Sequence, residues 1–217
     1  MIWRFLDRHD AGRQLAAKLE AYAGRDDVIV LALPRGGVPV GYEVAHALGA
    51  PFDVVTVRKL GVPDQPELAM GAIASGGAMF LNKGVLSAKR VTDAALHKVE
   101  SRERTELERR EKLYRGTRAA LEVHGKTVIL VDDGIATGAS MHAAVMALRS
   151  RLPARIVIAV PVAPADAMAR LEQVADELVC VLTSIEFFAV GQFYRNFDQT
   201  TDMDVRQLLD EARKAPV

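Results

Sequence analysis

A doubly wound, mainly parallel α/β sheet is predicted by two observations: apolar runs that are continuous rather than alternating, and helical spacing between them. Six runs are rich in β-branched and apolar residues: 27–33, 53–58, 78–82, 127–133, 155–160 and 177–182. A continuous apolar run suits a strand covered on both faces, as strands of a parallel sheet are. Strands that alternate with amphipathic helices wind such a sheet on both sides. With 217 residues, half of them hydrophobic, the chain can bury the core of one α/β domain spanning 1–217.

Helical spacing places Leu15 and Leu19 on one stripe of 10–22, and Val40, Val44, Ala47 and Leu48 on one stripe of 37–48. Further helices fit 139–150, 165–175 and 203–213. The stretch 88–118 differs. Strong helix formers carry mixed charges there, and sizeable apolar residues are sparse, among them Leu96, Val99, Leu107, Leu113 and Tyr114. It reads as a long, exposed helix protruding from the core, its arginines paired with acids three and four residues away. The final RKAPV reads as frayed.

The totals exclude several classes of function. Twenty-eight basic and 28 acidic side chains cancel, which argues against a nucleic-acid partner or an anionic membrane surface. A single cysteine, Cys180 in the run LVCVL, allows no disulfide framework and reads as a buried thiol in a reducing compartment. The start MIWRFLDRHD lacks the apolar segment of a signal peptide, and no run reaches the roughly 20 residues of a membrane span. The expectation is a cytoplasmic protein. Its five histidines share no metal-ligand spacing.

The chemistry concentrates at 132–140. The strand TVILV runs into Asp132 and Asp133, then Gly134, Ile135, Ala136, Thr137, Gly138, Ala139 and Ser140, then a helix. Gly134 and Gly138 permit a tight loop with inward backbone N–H groups. Thr137 and Ser140 add hydroxyl donors, and a helix start adds the positive end of its dipole. These features cradle a phosphate. The paired carboxylates repel phosphate but accept hydrogen bonds from sugar hydroxyls or hold a divalent cation. Together they describe a site for a phosphorylated sugar, although each residue alone also fits an ordinary strand-loop-helix junction.

The segment VILVDDGIATGAS closely resembles the phosphoribosyl-diphosphate signature of type I phosphoribosyltransferases. LPRGGVPVGYEVA (33–45), VRKLGVPDQPELAMGAI (57–73) and SIEFFAVGQFYRNF (184–197) extend the resemblance to small bacterial members of that family. It implies a five-stranded core with a hood built from chain ends, including 184–217, and a homodimer. It also implies 5-phosphoribosyl-1-diphosphate as donor, Mg²⁺ as cofactor, and transfer of the phosphoribosyl group to a nitrogen acceptor with loss of pyrophosphate. Asp132 and Asp133 would hold the ribose hydroxyls, directly or through Mg²⁺. Gly134, Ala136, Thr137, Gly138 and Ser140 would hold the 5′-phosphate.

Other motifs take supporting roles. In Leu33–Gly37 two glycines, Gly36 and Gly37, let backbone approach a ligand, and Arg35 offers a donor fork matched to phosphate. By resemblance this is the pyrophosphate loop, where an unusual peptide geometry is common. Arg58 and Lys59 end the second strand at the ligand-binding carboxyl edge and would neutralise the diphosphate. The proline- and glycine-rich GVPDQPELAMG resembles the mobile loop that closes over the reaction, with Glu67 in it. Phe187, Phe188, Phe193 and Tyr194 belong to an aromatic cluster that suits either an acceptor-stacking hood or the packing of a C-terminal lobe.

One departure leaves the acceptor open. Ala136 stands where the hypoxanthine-guanine branch has an acid, and Gly134 and Ile135 stand where the adenine branch has one. A base from Glu67, Glu186 or Asp198 is not fixed by the residues. Two rival functions remain in view: a non-catalytic sensor of the same ligand that binds RNA, and a Mg²⁺-dependent sugar-phosphate hydrolase.

Overall fold

A computed structural model of the chain describes residues 4–214, apart from the side chain of Glu67. In chain order its elements are α1 (Arg8–Lys18), β1 (Val28–Ala32), α2 (Gly37–Leu48), β2 (Phe52–Val54), β3 (Val57–Val62), β4 (Gln65–Ala74), β5 (Ala78–Leu81) and α3 (Lys83–Ala88). There follow α4 (Asp93–Arg115), β6 (Thr127–Val131), α5 (Ala139–Arg149), β7 (Arg155–Pro164), α6 (Ala165–Leu171), β8 (Glu177–Ser184) and α7 (Asp202–Lys214).

The expected sheet is present. Five strands in the order β2-β1-β6-β7-β8 pair in parallel throughout. Alternate residues of β1 and β6 enter two cores. Val30, Ala32, Ile129 and Val131 pack under α1, α2 and α7, while Ile29, Leu31, Val128 and Leu130 pack under α5. Burial on both faces is the reason the strands read as unbroken apolar runs. On α2 the buried stripe includes Ala45, and Ala47 faces solvent instead of the core. Cys180 is partly buried, and burial raises its thiol above the ordinary value.

Between β2 and β6 the chain departs from the expected rhythm. The run 53–58 is not one strand: β2 stops at Val54, and Arg58 and Lys59 lie on β3 in a separate antiparallel sheet, ordered β3-β4-β5. The run 78–82 supplies β5 of this small sheet rather than a strand of the parallel one. The segment expected to be an irregular loop is mostly β4. Its glycines and prolines are absorbed by strand geometry. Register shifts flank Gly61, and Pro66 lies beyond the stretch 71–74 that pairs with β5.

The charged segment also behaves differently from its expected protrusion. Residues 83–88 form a short separate helix, and Thr92 caps α4 by accepting from the Ala95 N–H at 3.2 Å. Instead of standing off, α4 lies on the small sheet. Leu107 joins Leu60, Val62, Met70 and Ile73 in an apolar cluster, with Leu96 and Val99 at its edge. The thin stripe was visible in the sequence; the surface it covers was hidden because β4 was unrecognised.

The expected hood segment divides. Backbone bonds from Phe5 N–H to Phe193 and from Arg195 N–H to Phe5, both 2.8 Å, lace the N-terminal residues to 193–196. Beyond them α7 belongs to the main core through Val205, Leu208 and Leu209. Residues 215–217, part of the frayed tail expected from the sequence, lie outside the described residues.

Candidate functional site

The parallel register Ala32↔Val131 sends two loops off the same sheet edge side by side. The Leu33–Gly37 loop follows β1, and its Pro34–Arg35 peptide is cis. Asp132 and Asp133 follow β6. The glycines of the first loop press against the acids of the second. A Cβ on Gly36 would stand 2.1 Å from Asp133 Oδ2, and one on Gly37 would stand 2.8 Å from Asp132 Cα. The close approach read from the two glycines is therefore made to the aspartates.

The two carboxylates differ in their surroundings. Asp132 sits deep but keeps some surface, which opens into a cavity, and its Oδ1 accepts the Asp133 N–H at 2.9 Å. Burial, then the charge of Asp133, pushes the Asp132 carboxyl well above its ordinary range. Burial also raises Asp133, opposed by the Arg8 guanidinium, whose Nε lies 2.8 Å from Oδ2. Arg8 in turn donates from Nη1 to the Asp198 carbonyl at 2.6 Å and stacks 3.9 Å from the Phe197 ring centroid. Sequence reasoning missed Arg8, and it counted Phe197 in the aromatic cluster of 187–197 without finding this partner. Their signal was weak, because a cation near the N-terminus and an aromatic near residue 197 meet only once the two segments are laced together.

Losing Arg8 exposes this electrostatic arrangement. An Arg8→Met change should lower thermal stability more at pH 8 than at pH 5, because the acid pair loses its cation only where it is ionised. Differential scanning calorimetry at the two pH values checks this; an equal loss at both would mean that Arg8 acts through packing alone.

The remaining loop residues lead from Asp133 into α5. Gly134 is buried between Val162 and Val190, and Gly138, with φ of 77°, turns the chain into α5 in the left-handed conformation. Ala136, Thr137 and Ser140 are exposed at that helix start. The Thr137 hydroxyl accepts from the Ala139 N–H at 3.4 Å.

The cavity has a volume of about 930 Å³. Its core side carries Leu33, Pro34, Asp132 and Ser140, and its other side carries β3 and α4. Arg58 and Lys59 line it from β3, so these two predicted cations border the cavity, although from the small sheet. Arg35 does not line it; its Nη1 lies 3.8 Å from Asp202 on α7. Lys98, Arg102 and Arg110 of α4 line it as well, and the sequence reading left them on a solvated helix.

The predicted acceptor aromatics fare unevenly. Phe193 and Tyr194 are buried in a small cluster with Phe5 and Val162, and the Tyr194 hydroxyl donates to the Asp133 carbonyl at 2.5 Å. Phe187 meets Phe193 with ring centroids 5.2 Å apart and planes tilted by 33°, whereas Phe188 is 91% exposed. Packing of a lobe accounts for three of them, and Phe188 contacts neither core nor cavity. No cluster of three or more His, Cys, Asp or Glu side chains fit to hold a metal occurs among the described residues.

A sequence model of the phosphoribosyl transferase domain matches residues 4–197. The chain belongs to that family. Among relatives of this phosphoribosyl transferase domain are two Mycobacterium tuberculosis proteins, each named "Putative phosphoribosyl transferase". Each is 50% identical to it over 210 residues, covering 97% of this chain and 47% of the relative. The chain thus spans about half the length of these curated relatives. The crystal structure of TT1426 from Thermus thermophilus is 44% identical and superposes with a TM-score of 0.87, covering 96% of this chain and 98% of that one. AQ2163 from Aquifex aeolicus shares the fold at 11% identity and a TM-score of 0.51, covering 93% of this chain and 84% of its own. The domain is thus of a glycosyltransferase-type enzyme family, and none of its described helices is long and apolar enough to cross a membrane.

Proposed function

We propose that this phosphoribosyl transferase domain binds 5-phosphoribosyl-1-diphosphate and transfers its phosphoribosyl group to a nitrogen acceptor. One observation carries the reading. A single cavity has Asp132 and the Ser140 helix start on one side and Arg58 and Lys59 on the other. That polarity matches a ligand with a phosphate at one end, hydroxyls in the middle and a diphosphate at the far end.

In the reaction the acceptor nitrogen forms a bond to the anomeric carbon. The bond from that carbon to the diphosphate oxygen breaks, and its electron pair leaves with pyrophosphate. Positive charge grows on the ribose ring and negative charge on the leaving group, so fixed charges and positioning do most of the work. Thr137, Gly138 and Ser140 hold the 5′-phosphate. Asp132 accepts from a ribose hydroxyl, and Asp133 is steadied for the same task by Arg8. When Mg²⁺ is bound it neutralises diphosphate charge. Asp132 is the carboxylate facing the cavity for that ion, and most of the remaining ligands must come from the substrate and water.

Calorimetric titration of the donor, with and without Mg²⁺, tests the reading. Saturable binding should weaken roughly 10- to 100-fold in Thr137→Val, as expected for losing one hydrogen bond to a charged group. Absence of binding to the wild type under both conditions would overturn it.

A further inference from the structure

The sequence reading set α4 aside as a solvated, self-paired helix, and the structure makes it one wall of the cavity. That wall is strongly basic in a chain of zero net charge. Among the described residues, Arg58, Lys59, Lys98, Arg102 and Arg110 line the cavity against two acids, Glu103 and Asp132. The basic loop residue expected at the diphosphate, Arg35, is drawn toward Asp202 instead.

Two details set this wall apart from an ordinary charged face. Glu103 is only 7% exposed and accepts from two guanidinium groups, each of which also lines the cavity. Arg58 donates from Nε at 2.8 Å and from Nη2 at 2.5 Å, and Arg102 donates from Nε at 3.0 Å and from Nη2 at 2.9 Å. One buried carboxylate thus fixes an arginine of β3 beside an arginine of α4. Lys98, one helical turn away, makes no ion pair among the described residues. Holding the helix on the sheet explains the Glu103 pairs, but it does not explain an unpaired lysine facing the same space.

We propose that α4 is the diphosphate wall of the site: Lys98 and Arg102 join Arg58 and Lys59 in binding the diphosphate, and Glu103 is the positioning residue that holds the two arginines toward it. This rests on the donor assigned above. Its chemistry is simple. A diphosphate gains negative charge as it leaves, and guanidinium groups already fixed in place need no reorganisation to meet it. Locating the wall on the excursion between β5 and β6 also gives the sparse apolar stripe of α4 a purpose: it anchors one face while the other faces the cavity.

The test compares inorganic pyrophosphate, 5-phosphoribosyl-1-diphosphate and ribose 5-phosphate, each titrated with Mg²⁺ into the whole chain and into Lys98→Met and Glu103→Gln. Lys98→Met alters an exposed side chain, so it keeps the test open if Glu103→Gln fails to fold. Expected is a loss of about tenfold for the two diphosphates in each folded variant, as for one charged contact, with ribose 5-phosphate within about twofold. Unchanged pyrophosphate binding in Lys98→Met overturns the proposal, as does an equal loss for ribose 5-phosphate. Failure of the wild type to bind pyrophosphate overturns it too. If the wild type binds pyrophosphate in a Lys98-dependent way but not the phosphoribosyl donor, the wall stands and the donor assignment falls.

Discussion

Replacing Arg115 with leucine is expected to cost about 3–5 kcal/mol of stability, the range for breaking a buried ion pair by removing one partner. Arg115 closes α4, and both it and Asp53 on β2 are almost completely enclosed, with side chains 4% and 3% exposed. Its Nε donates to both Asp53 oxygens, at 3.0 and 2.8 Å, and its Nη1 donates to Glu111 at 2.9 Å. Its Nη2 also donates to the Val54 carbonyl. Leucine fills part of the space but leaves the Asp53 carboxylate enclosed, with the Val54 and Leu121 N–H groups as its remaining donors among the described residues. For a chain of this size the loss corresponds to a fall in Tm of roughly 6–20 °C. Urea unfolding measures it. Asp53→Leu combined with Arg115→Leu should recover much of the loss, because no charge is then stranded. A single variant that loses under about 1 kcal/mol would show that water reaches the pair.

Asp132→Asn should move stability and function in opposite directions. The wild-type carboxylate is pushed well above its ordinary range by burial and by Asp133, so ionising it works against the fold. Asparagine keeps the Oδ1 that accepts the Asp133 N–H and removes the charge. The expected result is a rise in Tm of the variant over the wild type at neutral pH. The pH sense follows from the upward shift. The native state takes up its proton at higher pH than the unfolded chain. The wild type therefore loses stability as pH rises from the ordinary carboxylate range through the raised native value. The advantage of asparagine is absent at the acid end and complete above that value. Donor binding should fall roughly 10- to 100-fold, since a charge-assisted hydrogen bond to ribose is weakened. Calorimetric unfolding across pH checks the first half and donor titration the second. A variant destabilised at pH 8 would mean that the carboxylate is compensated by something other than Arg8.

How far the sequence could be read depended on where pairing information resides. The parallel core was legible because β1, β6 and β7 are buried on both faces and therefore apolar at nearly every position. The loop at 132–140 was legible because its function requires unusual residues in consecutive order. The small sheet was not. β4 carries Pro66 and Gly71, and β3 carries Gly61, so local propensity pointed to irregular structure. Long-range antiparallel pairing overrode it. The Arg8–Asp133 and Arg58–Glu103 contacts join residues 125 and 45 positions apart, and no periodicity announces such meetings. Arg35 is a related case: its loop was located from the sequence, while the nearness of its Nη1 to Asp202, 3.8 Å away, joins positions far apart along the chain.

The contact between the two loops at the sheet edge limits how this pocket can be re-engineered. With only 2.1 Å from a Gly36 Cβ position to Asp133 Oδ2, a library that randomises residue 36 is occupied by variants that must first displace the acid. A change at that edge therefore moves the Asp133 carboxylate, and with it the Arg8 contact that holds it. Across the cavity the side chains of Lys98 and Arg102 are exposed, so substitutions there leave the sheet beneath undisturbed and act on the ligand instead.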